Sequence, residues 1–223
     1  MHLHLNKKIL FYIIFLFLFG SINNINLRSI NFLKIKNFEF SGLDNFNYLN
    51  FKKKIIDSNS KNIFFLQKND IKKIVDKYNM IENVYVFKKY PSTLRIEIKN
   101  TKFLANTLKD GKFFLIGSNG KLIESKEINE DLPKVFGKFS YENFFKIKQE
   151  IDQSSINYED IKNLFFFPSK RWDIEFKDGL LLRLPPQNVD LALKNSFQVL
   201  NSKNFKNIKS IDLRILNQII INE

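Results

Sequence analysis

Hydrophobic positions along this chain change their spacing three times. Residues 9–19 are eleven consecutive apolar side chains, and Gly20, Ser21 and Ile22 extend the run to fourteen. From Leu33 the spacing opens: Leu33, Ile35, Phe38 and Phe40 flank Lys36 and Glu39 and stop at Ser41-Gly42, which predicts a strand with one irregular step. Leu49, Phe51, Ile55 and Ile56 suit a short helix, and residues 62–66 form a small apolar run. Asn69 and Asp70 offer N-cap oxygens to a second helix with Ile71, Ile74, Val75 and Tyr78 on one face. After Asn79 the period falls to two. Ile81, Val84, Val86 and Phe87 lead to the turn Tyr90-Pro91-Ser92, and Leu94, Ile96 and Ile98 alternate with Arg95, Glu97 and Lys99. Strand, helix, helix, strand, strand over residues 33–100 predicts a compact α+β domain with the helices on one sheet face.

Residues 101–223 read as a mostly antiparallel β-domain with two helices. Asp110-Gly111, Asn119-Gly120 and Asp178-Gly179 each suit a two-residue primed hairpin turn. Trp172, Ile174 and Phe176 precede the last of these and Leu180, Leu182 and Leu184 follow it; Trp172 reads as core packing. Helices are expected near residues 141–151 and 189–200, the second with Leu191, Leu193, Phe197 and Leu200 sharing a face after Pro185-Pro186 and Asn188. A final strand is expected within residues 211–221, apolar at both ends around Arg214 and Asn217, with Asp212 and Arg214 on one face as a surface ion pair.

The leading apolar run sets the compartment. Lys7 and Lys8 precede it and the next basic residue is Arg28, so the positive-inside rule puts residues 1–8 in the cytoplasm and the chain beyond about residue 23 outside it. Fourteen helical residues rise about 21 Å against a hydrocarbon core of about 30 Å, a length that also suits a signal-peptide core. No Ala-x-Ala pattern follows, and lysine snorkelling accommodates a short span. The expectation is a single transmembrane signal anchor over residues 9–22 and a polar linker over 23–32, with cleavage as the alternative.

Composition narrows the chemistry. The formal charge of +13 raises the question of a polyanion partner, but 31 Lys stand against 5 Arg. Lys, Asn, Ile and Phe, which share A/T-rich codons, make up 113 of the 223 residues. A nucleic-acid surface favours the planar Arg fork, so no nucleic acid is expected. No cysteine is present, and the two histidines, His2 and His4, precede the apolar run. That leaves no thiol nucleophile and no Cys- or His-ligated metal. Ser-x-x-Lys occurs at Ser58–Lys61 and Ser118–Lys121, the frequency of chance, without the companion motifs of a penicillin-binding site. Phosphate-binding glycine loops are absent. The chain is expected to have no catalytic activity, no cofactor and no small-molecule substrate.

Several phrases, in order, carry a resemblance. Phe38-Glu39-Phe40-Ser41-Gly42 and Lys89-Tyr90-Pro91-Ser92-Thr93-Leu94-Arg95-Ile96-Glu97-Ile98 look like the opening and closing strands of one family's POTRA domain, although Lys99-Asn100 replaces the usual acidic-Pro-Ala ending. Leu132-Pro133 with Gly137, Arg171-Trp172-Asp173-Ile174, Asp178-Gly179, Leu184-Pro185 and Ile211-Asp212-Leu213-Arg214 follow at the family's later stations. The chain resembles the FtsQ/DivIB family of bacterial division proteins over nearly its whole length. That resemblance implies a bitopic inner-membrane scaffold with a periplasmic POTRA domain and β-domain. It also implies links between early and late division proteins and binding of FtsB and FtsL by strand addition at the last strands. The implied contact residues are Arg214, Ile215, Leu216, Asn217, Ile219, Ile220 and Ile221. An exposed Ile-rich edge is an aggregation hazard unless covered, so a partner is also a physical expectation, with a plain central strand as the other reading. Two rival classes are a POTRA-containing component of an outer-membrane assembly or secretion system, and a basic polyanion-binding protein.

Overall fold

A computed structural model of the chain describes residues 7–22, 34–42, 48–58, 62–200, 208–215 and 218–222. It divides into two units, residues 1–100 and 101–223.

The first helix, α1 (Lys7–Ile22), carries the leading apolar run, and every side chain from Ile9 to Phe19 is exposed. Its 16 residues rise about 24 Å, short of the roughly 30 Å hydrocarbon core. Among the described residues no helix is long and apolar enough to cross a membrane. The apolar run expected as a transmembrane helix over residues 9–22 is helical, and the side chains of Ile9 to Phe19 are exposed.

The small domain follows the expected order: β1 (Asn37–Ser41), α2 (Tyr48–Ser58), α3 (Lys68–Val75), β2 (Ile81–Lys89) and β3 (Thr93–Asn100). β3 is central, parallel to β1 and antiparallel to β2. Period-two alternation sends Leu94, Ile96 and Ile98 inward against Phe51, Ile55 and Ile71 of the helices, and leaves Arg95 and Lys99 outside. The second helix starts at Lys68 with Gln67 as its N-cap, ahead of the expected Asn69 and Asp70, because Asp70 serves instead as a first-turn acceptor for the Gln67 N–H (3.3 Å). Leu33 lies outside the described residues.

Among the described residues the second unit forms one nine-stranded sheet. It comprises β4 (Phe103–Lys109), β5 (Lys112–Gly117), β6 (Leu122–Ser125), β7 (Lys134–Phe136), β8 (Ile161–Phe166), β9 (Trp172–Phe176), β10 (Leu181–Arg183), β11 (Ser210–Asp212) and β12 (Ile220–Asn222), in the order β12-β11-β10-β9-β8-β7-β4-β5-β6. Five of its pairings are antiparallel; β4–β7, β7–β8 and β10–β11 are parallel. The helices α4 (Tyr141–Gln153) and α5 (Val189–Leu200) supply two of the crossovers that parallel pairs require.

One continuous row across the strands, Val135, Leu164, Ile174, Leu182 and Ile211, is fully buried and belongs to the same core as Phe144, Ile147 and Ile151 of α4 and Ala192 and Leu193 of α5. Trp172 is core, its ring 4.8 Å from that of Phe166 and 6.0 Å from that of Phe139. The buried face of α5 differs from expectation: Ala192, Leu193 and Ser196 turn inward while Leu191 and Phe197 are exposed. Small side chains let the helix lie close to the sheet, and the Ser196 hydroxyl donates to the Leu193 carbonyl (2.8 Å). Only Asp110-Gly111 is a two-residue primed turn, with positive φ at both residues. The other two glycines close three-residue loops. The N–H of Gly120 donates to the Gly117 carbonyl and that of Gly179 to the Phe176 carbonyl, and only the glycine is left-handed in each.

Asn106 shows how a polar side chain earns a place in this core. Its amide donates to the carbonyls of Asn129 (2.8 Å) and Leu132 (2.9 Å), and its oxygen accepts from the Asn129 N–H (3.0 Å). The loop before Pro133 is thereby fastened to β4. Asn106→Ala takes the side-chain partner from the Leu132 carbonyl and the Asn129 N–H, while the Asn129 carbonyl keeps the Leu132 N–H, and is expected to destabilise the β-domain by about 2 kcal/mol; equilibrium denaturant unfolding of the variant against the parent checks this.

A candidate partner-binding edge

The expected final strand is two strands. β11 lies inside the sheet between β10 and β12, and β12 forms its outer edge. The break falls after Leu213: the Asp212 carboxylate accepts from the Arg214 backbone N–H (3.1 Å), an Asx-type turn that lifts the chain out of the ladder.

β12 exposes half of its backbone. The Asn222 carbonyl accepts from the Lys209 N–H (2.8 Å), so Asn222 and Ile220 face β11. Because the N–H and C=O of one residue point to the same side and alternate along a strand, those of Ile221 point away from the sheet. The side chains divide the other way. Ile221 is half-buried opposite Ile211, while Ile220 lies exposed on the opposite face.

That opposite face carries a second cross-strand row: Phe136, Phe165, Asp173, Arg183, Asp212 and Ile220. Arg171 joins it through Asp173 (3.3 Å), and Arg183 stands 3.8 Å from Asp212. Arg214 doubles back onto Asp212, with Nε 2.8 and 2.9 Å from the two carboxylate oxygens. The pair expected at the surface is therefore half inside: Asp212 is buried and Arg214 is exposed. The hydrogen bond from Arg214 holds the Asp212 carboxyl below its ordinary pKa, ahead of the opposing effect of burial. Asp173 goes the other way, pushed up because burial outweighs its bond to Arg171. Three guanidiniums against two carboxylates leave the ladder one positive charge, with planar donors fixed in direction, an arrangement suited to a carboxylate on a partner.

On the helix side of the same edge, Pro185, Leu191, Leu213, Ile215 and Ile219 line a small groove of about 110 Å³. Arg214 and Ile215 thus follow β11, Ile219 precedes β12, and Ile220 and Ile221 lie in it. Leu216 and Asn217 fall outside the described residues. Sequence reasoning missed Arg171, Asp173 and Arg183 as members of this site. Their signal was the rarity of arginine itself: of 5 in a chain with 31 lysines, three converge here.

Comparison with known families decides the identity. Residues 33–100 match the model of the FtsQ-type POTRA domain, and residues 106–214 match that of the C-terminal part of cell division protein FtsQ/DivIB. The chain belongs to the FtsQ/DivIB family. FtsQ of Rickettsia bellii is 27% identical over 193 residues, spanning 84% of this chain and 72% of that protein. DivIB of Clostridium tetani is 29% identical over 168 residues, 66% of this chain and 62% of the other. The extracytoplasmic domain of DivIB from Geobacillus stearothermophilus overlays at a TM-score of 0.36 and 14% identity, covering 48% of this chain and 99% of that one, too low to carry weight. Membership makes this a cell-division protein without enzymatic activity. The matched region ends at Arg214, so β12 lies beyond it.

The lowered pKa of Asp212 has a signed consequence. A carboxylate held below its unfolded value of about 3.9 contributes stability that is present above that pH and lost as pH falls through the lower folded value. Asp212→Asn is therefore expected to flatten the decline of unfolding free energy below about pH 4, as read by denaturant titrations across that range.

Proposed function

We propose that this protein is a bitopic scaffold of the bacterial divisome that captures FtsB, and with it FtsL, by adding a partner strand to β12. The observation that carries the reading is the edge position of β12, with the N–H and C=O of Ile221 turned outward beside the exposed Ile215, Ile219 and Ile220. Main-chain hydrogen bonds supply affinity in such an addition, and side-chain pockets on alternate faces supply selectivity. Here the faces are unlike, an arginine ladder on one and a groove lined by aliphatic and amide side chains on the other, which favours a partner strand that alternates acidic residues with apolar or amide ones.

Membrane attachment is assigned to α1, whose apolar side chains are exposed all round and flanked by Lys7 and Lys8. Snorkelling lysines and local bilayer thinning accommodate its length. In this arrangement residues 1–8 are cytoplasmic, 23–32 form a linker, and both folded units are periplasmic, linking early and late division proteins. Tethering raises the effective concentration of weakly binding partners. A role in outer-membrane assembly or secretion has no observation in its favour, since both matched domains are of the FtsQ type.

Replacing Ile221 by proline deletes one outward N–H without touching the donors that face β11. The full chain carrying Ile221→Pro is expected to bind the periplasmic part of FtsB more than about tenfold more weakly, whereas Ile221→Val binds as the parent does. Calorimetry or pull-down at low and high ionic strength decides the matter. Equal affinity for the proline variant removes strand addition from consideration. Binding that collapses in salt and returns on a polyanion matrix makes the protein a polyanion binder instead.

A further inference from the structure

We propose that the end of the POTRA domain at which the chain enters docks on a bilayer surface rich in anionic phospholipid. The inference rests on the assignment of α1 as the membrane anchor.

Three segments meet at that end. The β2–β3 turn receives the start of β1, with the N–H groups of Lys36 and Asn37 donating to the Ser92 carbonyl at 2.8 and 3.2 Å. Lys34 bridges to Asn62 in the loop ahead of α3, and Lys88 Nζ donates to the Phe64 carbonyl (3.3 Å). These bonds place two large aromatic side chains together at the tip. The rings of Phe64 and Tyr90 are 4.8 Å apart, yet they remain 55% and 57% exposed. An aromatic pair left in water on a domain that buries Phe51 completely is an unspent apolar surface. Lys34 and Lys36, whose backbone joins this end, and Lys68, at the start of α3 just after the Phe64 loop, are exposed. Aromatic rings at headgroup depth, ringed by lysines that meet lipid phosphates, are the pattern of a membrane–water interface.

Chain length commits this surface to the bilayer. Eleven residues separate Ile22, the end of α1, from Lys34. Fully extended they reach about 40 Å, so a tethered POTRA domain cannot leave the neighbourhood of the membrane, and the tether is attached at the aromatic end. Lysines that are weak ligands in free solution then act at high effective concentration.

The chain has no cysteine, so one introduced thiol is unique. The full chain is reconstituted in vesicles of phosphatidylcholine with phosphatidylglycerol, or of phosphatidylcholine alone, with a fluorophore on Asn69→Cys near the tip or on Asn83→Cys near the far end of β2. Quenching by brominated lipid is expected to be about twofold greater at 69 than at 83 in the anionic vesicles, and equal at the two sites in phosphatidylcholine. Lys34→Gln/Lys36→Gln/Lys68→Gln or Phe64→Ser/Tyr90→Ser should bring the signal at 69 down to that at 83. These side chains are exposed, so thermal unfolding is expected to be unchanged and loss of fold can be separated from loss of docking. Equal quenching at both sites in anionic vesicles overturns the proposal. Alkaline extraction of the same samples tests the anchor separately. A chain that washes out while its tip is still quenched by phosphatidylglycerol vesicles keeps the docking surface and loses the anchor.

Discussion

A side chain on a β-strand can point to only two sides of its sheet, and strands held in register convert that restriction into two continuous surfaces. Everything in the second unit depends on it. The row from Val135 to Ile211 is one of these surfaces, apolar at every step and covered by α4 and α5. The adjacent residues on the same strands form the other, which runs from stacked Phe136 and Phe165 through Asp173, Arg183 and Asp212 to the edge. A one-residue slip in any pairing would exchange the two and put carboxylates in the core. The outward face of the edge strand β12 is therefore set by the same alternation that builds the core.

Charge on this face is arranged by type as well as by number. The chain uses lysine nearly everywhere, yet the ladder is made with arginine. An ammonium group is strongly hydrated and gives a point charge, whereas a guanidinium keeps its donors in a fixed plane and tolerates partial burial. Asp212 can be buried because Arg214 and Arg183 lie against it, and Arg214 stays directed because Asp212 holds it. Removing either partner leaves the other a misplaced charge, which makes the pair a positioning device as much as a stabilising one.

Edge strands are usually shortened or shielded. β12 has three residues and a break before it, which limits promiscuous pairing, while exposed isoleucines and a small groove beside α5 lie next to it. Brevity limits the backbone that is open to self-association.

Much of the fold was legible in the sequence. The switch from helical to period-two spacing placed the five elements of the POTRA domain, and turn residues placed the hairpins, because both depend on local sterics and local burial. Gly111 could be assigned its turn type at two residues' range, but Gly120 and Gly179 needed the hydrogen bonds of their loops to distinguish a three-residue turn. The phase of α5 was misread because Leu191 and Phe197 are more apolar than Ala192 and Ser196, while close packing against a sheet rewards small side chains. The expected contact segment 214–221 was read from its apolar character and the family's motifs. The division of that segment into an inner strand and an edge was not, since it depends on β11 pairing with β10 across an intervening helix. Periodicity determined most of the elements, and the order of short motifs carried the resemblance to the family. Which carboxylates are buried, which arginines meet and which backbone faces outward were decided by long-range strand register, a property of pairs of segments that no single segment contains.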